Sequence, residues 1–110
     1  MSVVHKDLSS GRWFTLTLCQ QLANVGSEVE RTMSWRKKGN EEYSQKAFER
    51  ALELLNLTLS DVKNAHRSKE LARLYEALVD CFASDNRYQS SDILWQHYFA
   101  PFSFAVRSRY

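Results

Sequence analysis

Three histidines are the residues of this chain best suited to bind a metal ion or transfer a proton. His5, His66 and His97 stand far apart, and none has a further ligand at the spacing of a two-histidine helical metal site. The Glu-x-x-His pattern of di-metal bundles is also missing, since Leu94 stands three residues before His97. The sequence therefore predicts no metal site and no cofactor, and it places His97 at the polar rim of a helix.

Two cysteines could act as nucleophiles or form a disulfide. Cys19 and Cys81 lie in apolar, helical-looking surroundings, and two cysteines are too few for a disulfide scaffold. A catalytic thiolate needs a nearby cation or a helix N-terminus, which neither neighbourhood supplies. We therefore expect two small buried thiols in a reducing compartment, and the cytoplasm as the location.

Carboxylates could perform acid–base chemistry if two of them shared a site. Glu49 and Glu53 lie on one helix face, but the flanking Lys46 and Arg50 favour a charge-paired, solvated surface. We therefore predict that the chain is not an enzyme. One alternative stays open, because helix packing can assemble a polar site that spacing does not reveal. The residues considered for such a site are Glu28, Arg50, Glu53 and Arg73.

Basic residues gather at two predicted helix ends. One group comprises Arg36, Lys37 and Lys38, and the other comprises Arg107 and Arg109. Clustered on one face, such residues contact nucleic-acid phosphates, whereas separated ones complement helix dipoles and favour solubility. In an up-down bundle the two groups lie at opposite poles, and only an oligomer would join them. Nucleic-acid binding, or an accessory role beside a nuclease or toxin–antitoxin pair, is therefore the alternative function.

Aromatic residues are concentrated near the carboxyl end, where six of the fourteen lie between Trp95 and Tyr110. Base-stacking platforms interleave aromatic with basic residues, but here the basic residues follow the aromatic ones. The apolar arc of this helix is wider than packing on one side requires. The helix is therefore either enclosed by the bundle or partly covered by another subunit. The second interpretation predicts a homo-oligomer interface composed of Trp95, Tyr98, Phe99, Phe102 and Phe104.

The apolar spacing predicts a first helix from about Trp13 to Lys38. Gly26 interrupts this helix at a cost of about 1 kcal/mol relative to alanine, and so small a residue lets another helix approach closely. Gly39 is the residue expected just past the helix end, and Asn40 then caps a second helix. This pair favours a tight reversal between antiparallel helices over a kink in one long helix.

Three further helices follow. The second fades around residues 57–59, the third covers roughly residues 65–83, and the fourth begins after a cap at Ser90 or Ser91. Pro101 should kink the fourth helix or split it. The predicted fold is therefore all-α: an up-down four-helix bundle whose fourth helix is aromatic-rich and kinked near Pro101.

The third predicted helix carries opposite charges three residues apart on its polar side. Glu70 stands three residues before Arg73, and Arg73 stands three residues before Glu76. Such pairs stabilise a helix by about 0.2–0.5 kcal/mol each when they form on a solvated face. We therefore expect Arg73 to be paired along its own helix.

Length and composition set the remaining limits. The 110 residues suffice for one domain, and 44% apolar with 25% charged residues is typical of a globular chain. No apolar run approaches the ~20 residues of a membrane span, so no membrane partner is expected. The net charge of +2 is too small to indicate a polyanion partner by itself. We expect a flexible N-terminal segment at residues 1–11 and a single helical domain at residues 12–110.

Part of the chain resembles a tetratricopeptide repeat, because four residues fall at the spacing of that motif: Trp35, Gly39, Phe48 and Ala51. One repeat length further on, Arg73 stands where the motif would place a second glycine, so no second copy follows. Solenoids of this kind need about three repeats for stability. The resemblance therefore covers one helical hairpin.

A longer likeness is to a group of short, uncharacterised prokaryotic helical proteins, which the chain resembles in residues 22–31, residues 47–55 and the pair Tyr98-Phe99. It implies a bacterial or archaeal helical domain without an established activity. In size and helix count the chain also resembles the HEPN group of bundle nucleases and antitoxins. That family has an arginine closely followed by a histidine, whereas Arg87 precedes His97 by ten positions. The departure speaks against ribonuclease chemistry.

Overall fold

The computed structural model describes residues 11–107 of the chain. Residues 1–10, most of the predicted flexible segment, and residues 108–110, which include Arg109, lie outside the described residues. Across residues 11–107 the secondary structure is helical without a strand, which confirms the all-α prediction. No helix in this range is both long and apolar enough to cross a lipid bilayer.

Four α-helices form the bundle: α1 (Leu18–Lys37), α2 (Glu41–Ser60), α3 (Ser68–Ala83) and α4 (Asp92–Arg107). Two short 3₁₀ helices precede α1 and α3, at Arg12–Thr15 and Val62–Arg67. Helix α1 is central, because it packs against both α2 and α4, while α3 packs on α2. The four-helix arrangement agrees with the predicted bundle.

The start of α1 differs from the sequence-based prediction. The helix begins at Leu18, because Thr17 and Gln20 form a reciprocal capping box. The hydroxyl of Thr17 accepts a hydrogen bond from the Gln20 amide at 3.1 Å, and the Gln20 side chain accepts one from the Thr17 amide at 2.9 Å. Trp13 lies before this cap in the first 3₁₀ helix, so the predicted continuation of α1 back to Trp13 is wrong.

The reversal between α1 and α2 is as predicted. Gly39 has φ 77°, a conformation that favours glycine, and the Asn40 side chain accepts a hydrogen bond from the Tyr43 amide at 3.0 Å. The two helices run antiparallel: the hydroxyl of Ser44 donates to the carbonyl of Thr32 at 2.8 Å, and the later residue Arg50 donates to the earlier residue Glu28 at 3.0 Å. The hairpin places the carboxyl end of α1 beside the amino end of α2.

A close contact at Gly26 joins α1 to α4. A Cβ atom built on Gly26 would lie 2.8 Å from the Cβ, Cγ and Cδ1 atoms of Phe99. Any larger side chain would therefore push α4 away from α1. The close approach expected at Gly26 is confirmed, and its partner is the aromatic helix.

A buried polar network attaches the first 3₁₀ helix to the bundle. The indole nitrogen of Trp13 donates to Thr58 at 3.2 Å, and the Gln21 amide donates to Asp61 at 2.9 Å. The Asn64 amide in turn donates to the Gln21 side-chain oxygen at 2.9 Å. Since each buried polar group finds a partner, the network is a structural element of the core.

The carboxylate of Asp61 in this network is held in its ionised form. Desolvation by burial raises its pKa, but hydrogen bonds from the side chains of Lys63 and Gln21 and from the Lys63 amide lower it, as does the Lys63 charge. The net effect places the pKa of Asp61 below its usual value.

Asp80 fixes the loop that connects α3 to α4. Its carboxylate accepts hydrogen bonds from the amides of Arg87 and Tyr88 at 2.8 and 3.0 Å. The Ser91 hydroxyl then accepts one from the Leu94 amide at 3.3 Å, which confirms a serine cap before the helix. Helix α4 continues through Pro101 as one helix, although Pro101 has no amide hydrogen to donate within it.

Candidate functional site

The structure divides the predicted interface residues of α4 into two groups. Trp95 and Phe99 are 6% and 5% exposed, because their rings pack among the other helices of the same chain. Tyr98 and Phe102 are half-buried beside them, whereas Phe104 is 68% exposed. Trp95 and Phe99 therefore belong to the core of the chain and offer no ring surface to a second subunit.

The solvent-facing side of α4 is apolar in places that the predicted interface did not include. Ile93 and Leu94 are 63% and 55% exposed. An exposed row of residues one helical turn apart, here called the outer stripe, consists of Ile93, His97, Ala100 and Phe104. From Ile93 to Val106 the helix contains no Asp, Glu, Lys or Arg. The exposed face of α4 is therefore uncharged as well as partly apolar.

The predicted basic residues that the structure describes do not come together. Arg36 pairs with Asp92 at 3.0 Å and lies over the Phe82 ring at 4.7 Å, so it ties the end of α1 to the start of α4. Lys37 and Lys38 are exposed near it. Arg107 lies at the opposite end of α4, where it lines a pocket with residues of the first half of α1. The separation of the two groups agrees with the antiparallel course of α1 and α4.

A different basic and aromatic surface lies on the α1–α2 hairpin, and the sequence analysis missed it. The rings of Trp35 and Tyr43 meet edge to face at 4.9 Å. The ammonium of Lys38 lies 4.9 Å from the Trp35 ring, and that of Lys46 lies 5.7 Å from the Tyr43 ring. Arg50 borders the same hollow.

The spacing of these residues carries a signal that would have revealed the hairpin surface. Arg31 and Trp35 of α1 and its C-cap residue Lys38 are spaced by four and three residues, and so share one face. On α2, Tyr43, Lys46 and Arg50 share one face at intervals of three and four residues. The reversal at Gly39 brings the two series side by side.

A buried carboxylate anchors one side of the hairpin surface. Glu28 is 5% exposed; it accepts a hydrogen bond from Arg50 at 3.0 Å and also contacts the guanidinium of Arg31. Two of the four residues considered for a cross-helix polar site, Glu28 and Arg50, therefore meet. Arg73 lines a separate cavity, so the four residues do not form one site.

That separate cavity is a cleft between α3 and α4 with a volume of about 500 Å³. Its apolar lining consists of Leu74 and Ala77 from α3 and of Trp95 and Tyr98 from α4. The polar lining, which comes from α3 and the 3₁₀ helix before it, consists of His66, Arg67, Lys69, Glu70 and Arg73. The cleft therefore combines an aromatic side with a mainly cationic side.

The charges of this cleft are paired differently from the prediction. Glu70 accepts a hydrogen bond from Arg67 at 2.8 Å instead of pairing with Arg73. Among residues 11–107, neither Lys69 nor Arg73 takes part in an ion pair. The cleft thus holds one neutralised acid and two cations without an acidic partner.

Three of the four described groups with shifted pKa values line this cleft, and the fourth is Asp61. Burial and the nearby charge of Glu70 raise the pKa of Tyr98, although Arg67 opposes them. The hydrogen bond between Arg67 and Glu70 raises the pKa of the guanidinium and lowers that of the carboxyl. The pKa shifts of Arg67 and Glu70 therefore come from their own exposed ion pair, and that of Tyr98 comes chiefly from burial.

The described residues contain no group of three or more His, Cys, Asp or Glu side chains that could hold a metal ion. His66 lies at the α3–α4 cleft, and His97 lies on the outer stripe of α4. Cys19 and Cys81 are half-buried free thiols.

Comparison of the chain with protein-family models, with curated proteins and with solved structures finds no significant match in any of the three. The resemblances noted from the sequence therefore stay predictions. Function has to be inferred from the geometry of the surfaces described above.

Proposed function

We propose that the chain is a non-enzymatic interaction module that self-associates through the outer stripe of α4. One observation carries this proposal: a solvent-facing helix exposes Ile93, Leu94 and Phe104 while it lacks any charged residue from Ile93 to Val106. Exposed helix faces normally carry charged residues, and interface centres are depleted of them. Exposed large apolar side chains on an uncharged helix face are typical of a protein contact site.

The arrangement of the outer stripe favours a second copy of the chain as the partner. A two-fold axis between residues 98 and 99 would pair two α4 helices in antiparallel orientation. Ile93 of one copy would then face Phe104 of the other, and His97 would face Ala100. Each large apolar side chain meets another one, and the small Ala100 leaves room for His97.

Sedimentation velocity of the full chain over a concentration series tests this proposal. We expect a monomer–dimer equilibrium in the natural chain and a monomer in the Phe104→Glu variant, because the added carboxylates would be buried in the contact. The matched control is Val62→Glu, which places the same charge on an apolar residue that is 88% exposed but lies far from α4 in sequence. Thermal unfolding of both variants verifies that the fold is retained.

Two outcomes contradict self-association through α4. One is a natural chain that stays monomeric at the highest concentration reached. The other is a dimer that Val62→Glu weakens as much as Phe104→Glu does, because the contact would then lie elsewhere.

A second candidate function is binding of single-stranded nucleic acid by the hairpin surface. It is favoured by the alternation of Trp35 and Tyr43 with the cations Lys38 and Lys46, which is the pattern of a base-stacking platform. Lys37 and Lys38, predicted from the sequence as phosphate contacts, lie at the end of α1 beside this surface. The platform would lie on the hairpin and not at the aromatic carboxyl end.

Binding of fluorescent single-stranded RNA and DNA at two salt concentrations tests the second candidate. Binding should weaken with salt, and Tyr43→Ala should reduce it about tenfold, since stacking contributes about 1–3 kcal/mol per base. Tyr88→Ala serves as the control, at a tyrosine that lies outside the hairpin and is 64% exposed, compared with 46% for Tyr43. Absence of binding at low salt, or binding that salt does not change, would exclude this function.

We further propose that the module acts in the cytoplasm of a bacterium or archaeon. The support for the compartment is that Cys19 and Cys81 are free thiols, which persist in reducing surroundings. The support for the origin is the likeness to short prokaryotic helical proteins described above.

A further inference from the structure

We propose that the α3–α4 cleft binds a small aromatic anion, that is, a planar ring that carries a phosphate or carboxylate group. This site is independent of self-association through the outer stripe, since Trp95 and Tyr98 lie on the inward side of α4. Three features of the cleft support the proposal: its size, the orientation of its aromatic side chains and its unpaired cations.

The size of the cleft fits a small molecule. Small-molecule sites occupy roughly 300–1,000 Å³ and combine an apolar lining with a few polar groups. The cleft has a volume of about 500 Å³, with Leu74 and Ala77 as its apolar floor. A folded domain or a duplex nucleic acid would not enter a space of this volume.

The aromatic residues of α4 are oriented to receive a flat ring. The rings of Trp95 and Tyr98 are nearly perpendicular, with an angle of 80° and centroids 6.5 Å apart. A planar ligand that stacks on Tyr98 would reach the small exposed part of the Trp95 indole edge to face, and both geometries are favourable for aromatic rings. Tyr98 is half-buried, so part of its ring remains open to the cleft.

The cationic side of the cleft offers two exposed charges, Lys69 and Arg73, to an anion. Glu70 is already neutralised by Arg67, whereas Lys69 and Arg73 have no ion-pair partner among the described residues. A guanidinium binds the two oxygens of a carboxylate or phosphate through parallel hydrogen bonds. Arg73 is therefore the principal anion contact, and His66 and Lys69 extend the positive rim.

Titration of the ¹⁵N-labelled full chain, followed by nuclear magnetic resonance, tests the inference. The probes are adenosine 5′-monophosphate and 2-naphthoate, which present a phosphate and a carboxylate, respectively, on a planar ring. Adenosine and inorganic phosphate are the matched probes that lack the anion or the ring. We expect at least one of the two aromatic anions to shift the amide resonances of residues 66–77 and 95–98. The preferred one identifies the anionic group.

Two substitutions in the cleft and one control outside it assign the contacts. Arg73→Gln should weaken binding about tenfold or more, because a charge-assisted hydrogen bond is lost. Arg87→Gln removes an exposed arginine outside the cleft and should leave binding unchanged. Ala77→Phe should fill the floor of the cleft and abolish binding, with thermal unfolding as the measure of an intact fold.

Three results would overturn the inference. The first is that neither aromatic anion shifts the cleft resonances at about 10 mM, a concentration that detects even millimolar affinity. The second is that Arg73→Gln and Arg87→Gln weaken binding equally. The third is that inorganic phosphate or adenosine binds as tightly as the aromatic anions, because ring and charge would then not act together.

Discussion

Replacement of Gly26 by alanine tests the contact that fixes α4 on α1. The added Cβ would lie 2.8 Å from three side-chain atoms of Phe99, which is closer than nonbonded carbon atoms approach each other. One of these atoms is the Cβ of Phe99, which is bonded directly to the α4 backbone. Rotation of the Phe99 ring therefore cannot remove the overlap, and α4 itself must move.

Two opposing contributions decide how much Gly26→Ala changes the free energy of unfolding. Alanine stabilises a helix interior by about 1 kcal/mol relative to glycine. Overpacking of a core costs about 1–3 kcal/mol, and the required backbone shift places this substitution near the upper end, at about 2–3 kcal/mol. We therefore expect Gly26→Ala to lower the free energy of unfolding by about 1–2 kcal/mol.

Urea unfolding followed by circular dichroism measures this effect. Ser27→Ala, at the exposed neighbouring position of α1, is the control and should change the free energy of unfolding by less than about 0.5 kcal/mol. In a Phe99→Ala background the cost of Gly26→Ala should shrink by about 1 kcal/mol, because two of the three clashing atoms are gone. A Gly26→Ala variant at least as stable as the natural chain would refute the reasoning, since helix propensity alone would then decide.

Three further measurements test other parts of the structure. Phe104→Ala should raise the dimer dissociation constant about 30- to 1,000-fold in sedimentation, because burying the 68% exposed ring is worth about 1–2 kcal/mol per copy; an unchanged constant would place the contact elsewhere. The pKa of Asp61 lies below its ordinary 3.8, so its stabilising effect is complete above about pH 4 and is lost as the pH falls through the lowered value. On acidification, the urea concentration at the unfolding midpoint should therefore fall less in Asp61→Asn than in the natural chain. Equal decreases in the two proteins would show that the ionised Asp61 carboxylate does not stabilise the fold. Asn40→Ala removes the cap of α2 and should cost about 1 kcal/mol in urea unfolding, whereas no loss would show that the cap contributes little.

The sequence predicted the helices well because the signals for them are local. Apolar spacing identified all four helices, and Gly39 with Asn40 identified the reversal between α1 and α2, since φ preferences and capping bonds act within a few residues. The start of α1 was missed although its signal, Thr17 followed by Gln20, is equally local. The apolar residues from Trp13 onward have helical spacing, but the capping box ends the helix before it reaches them.

The candidate sites were predicted less well, because they depend on which helix faces meet. The sequence showed that α4 has a wide apolar arc, but only packing assigned Trp95 and Phe99 to the core and Phe104 to the surface. The spacing of Glu70 and Arg73 predicted an ion pair, yet Arg67 from the preceding 3₁₀ helix competes successfully for Glu70. Without that pair, Arg73 has no ion-pair partner among residues 11–107 and lies at the cleft.

Local chemistry along the chain determined an all-α protein with four helices, a glycine-and-asparagine reversal and a small residue at a helix crossing. Tertiary structure alone decided that α4 packs against Gly26 and that α3 and α4 leave a cleft between them. It also decided that Arg73 lines this cleft without an ionic partner in the described part of the chain. The physical reason is that the two kinds of interaction act over different separations along the sequence. Capping and periodicity act between residues a few positions apart, whereas clefts and exposed faces arise from the contacts of residues that are distant in sequence.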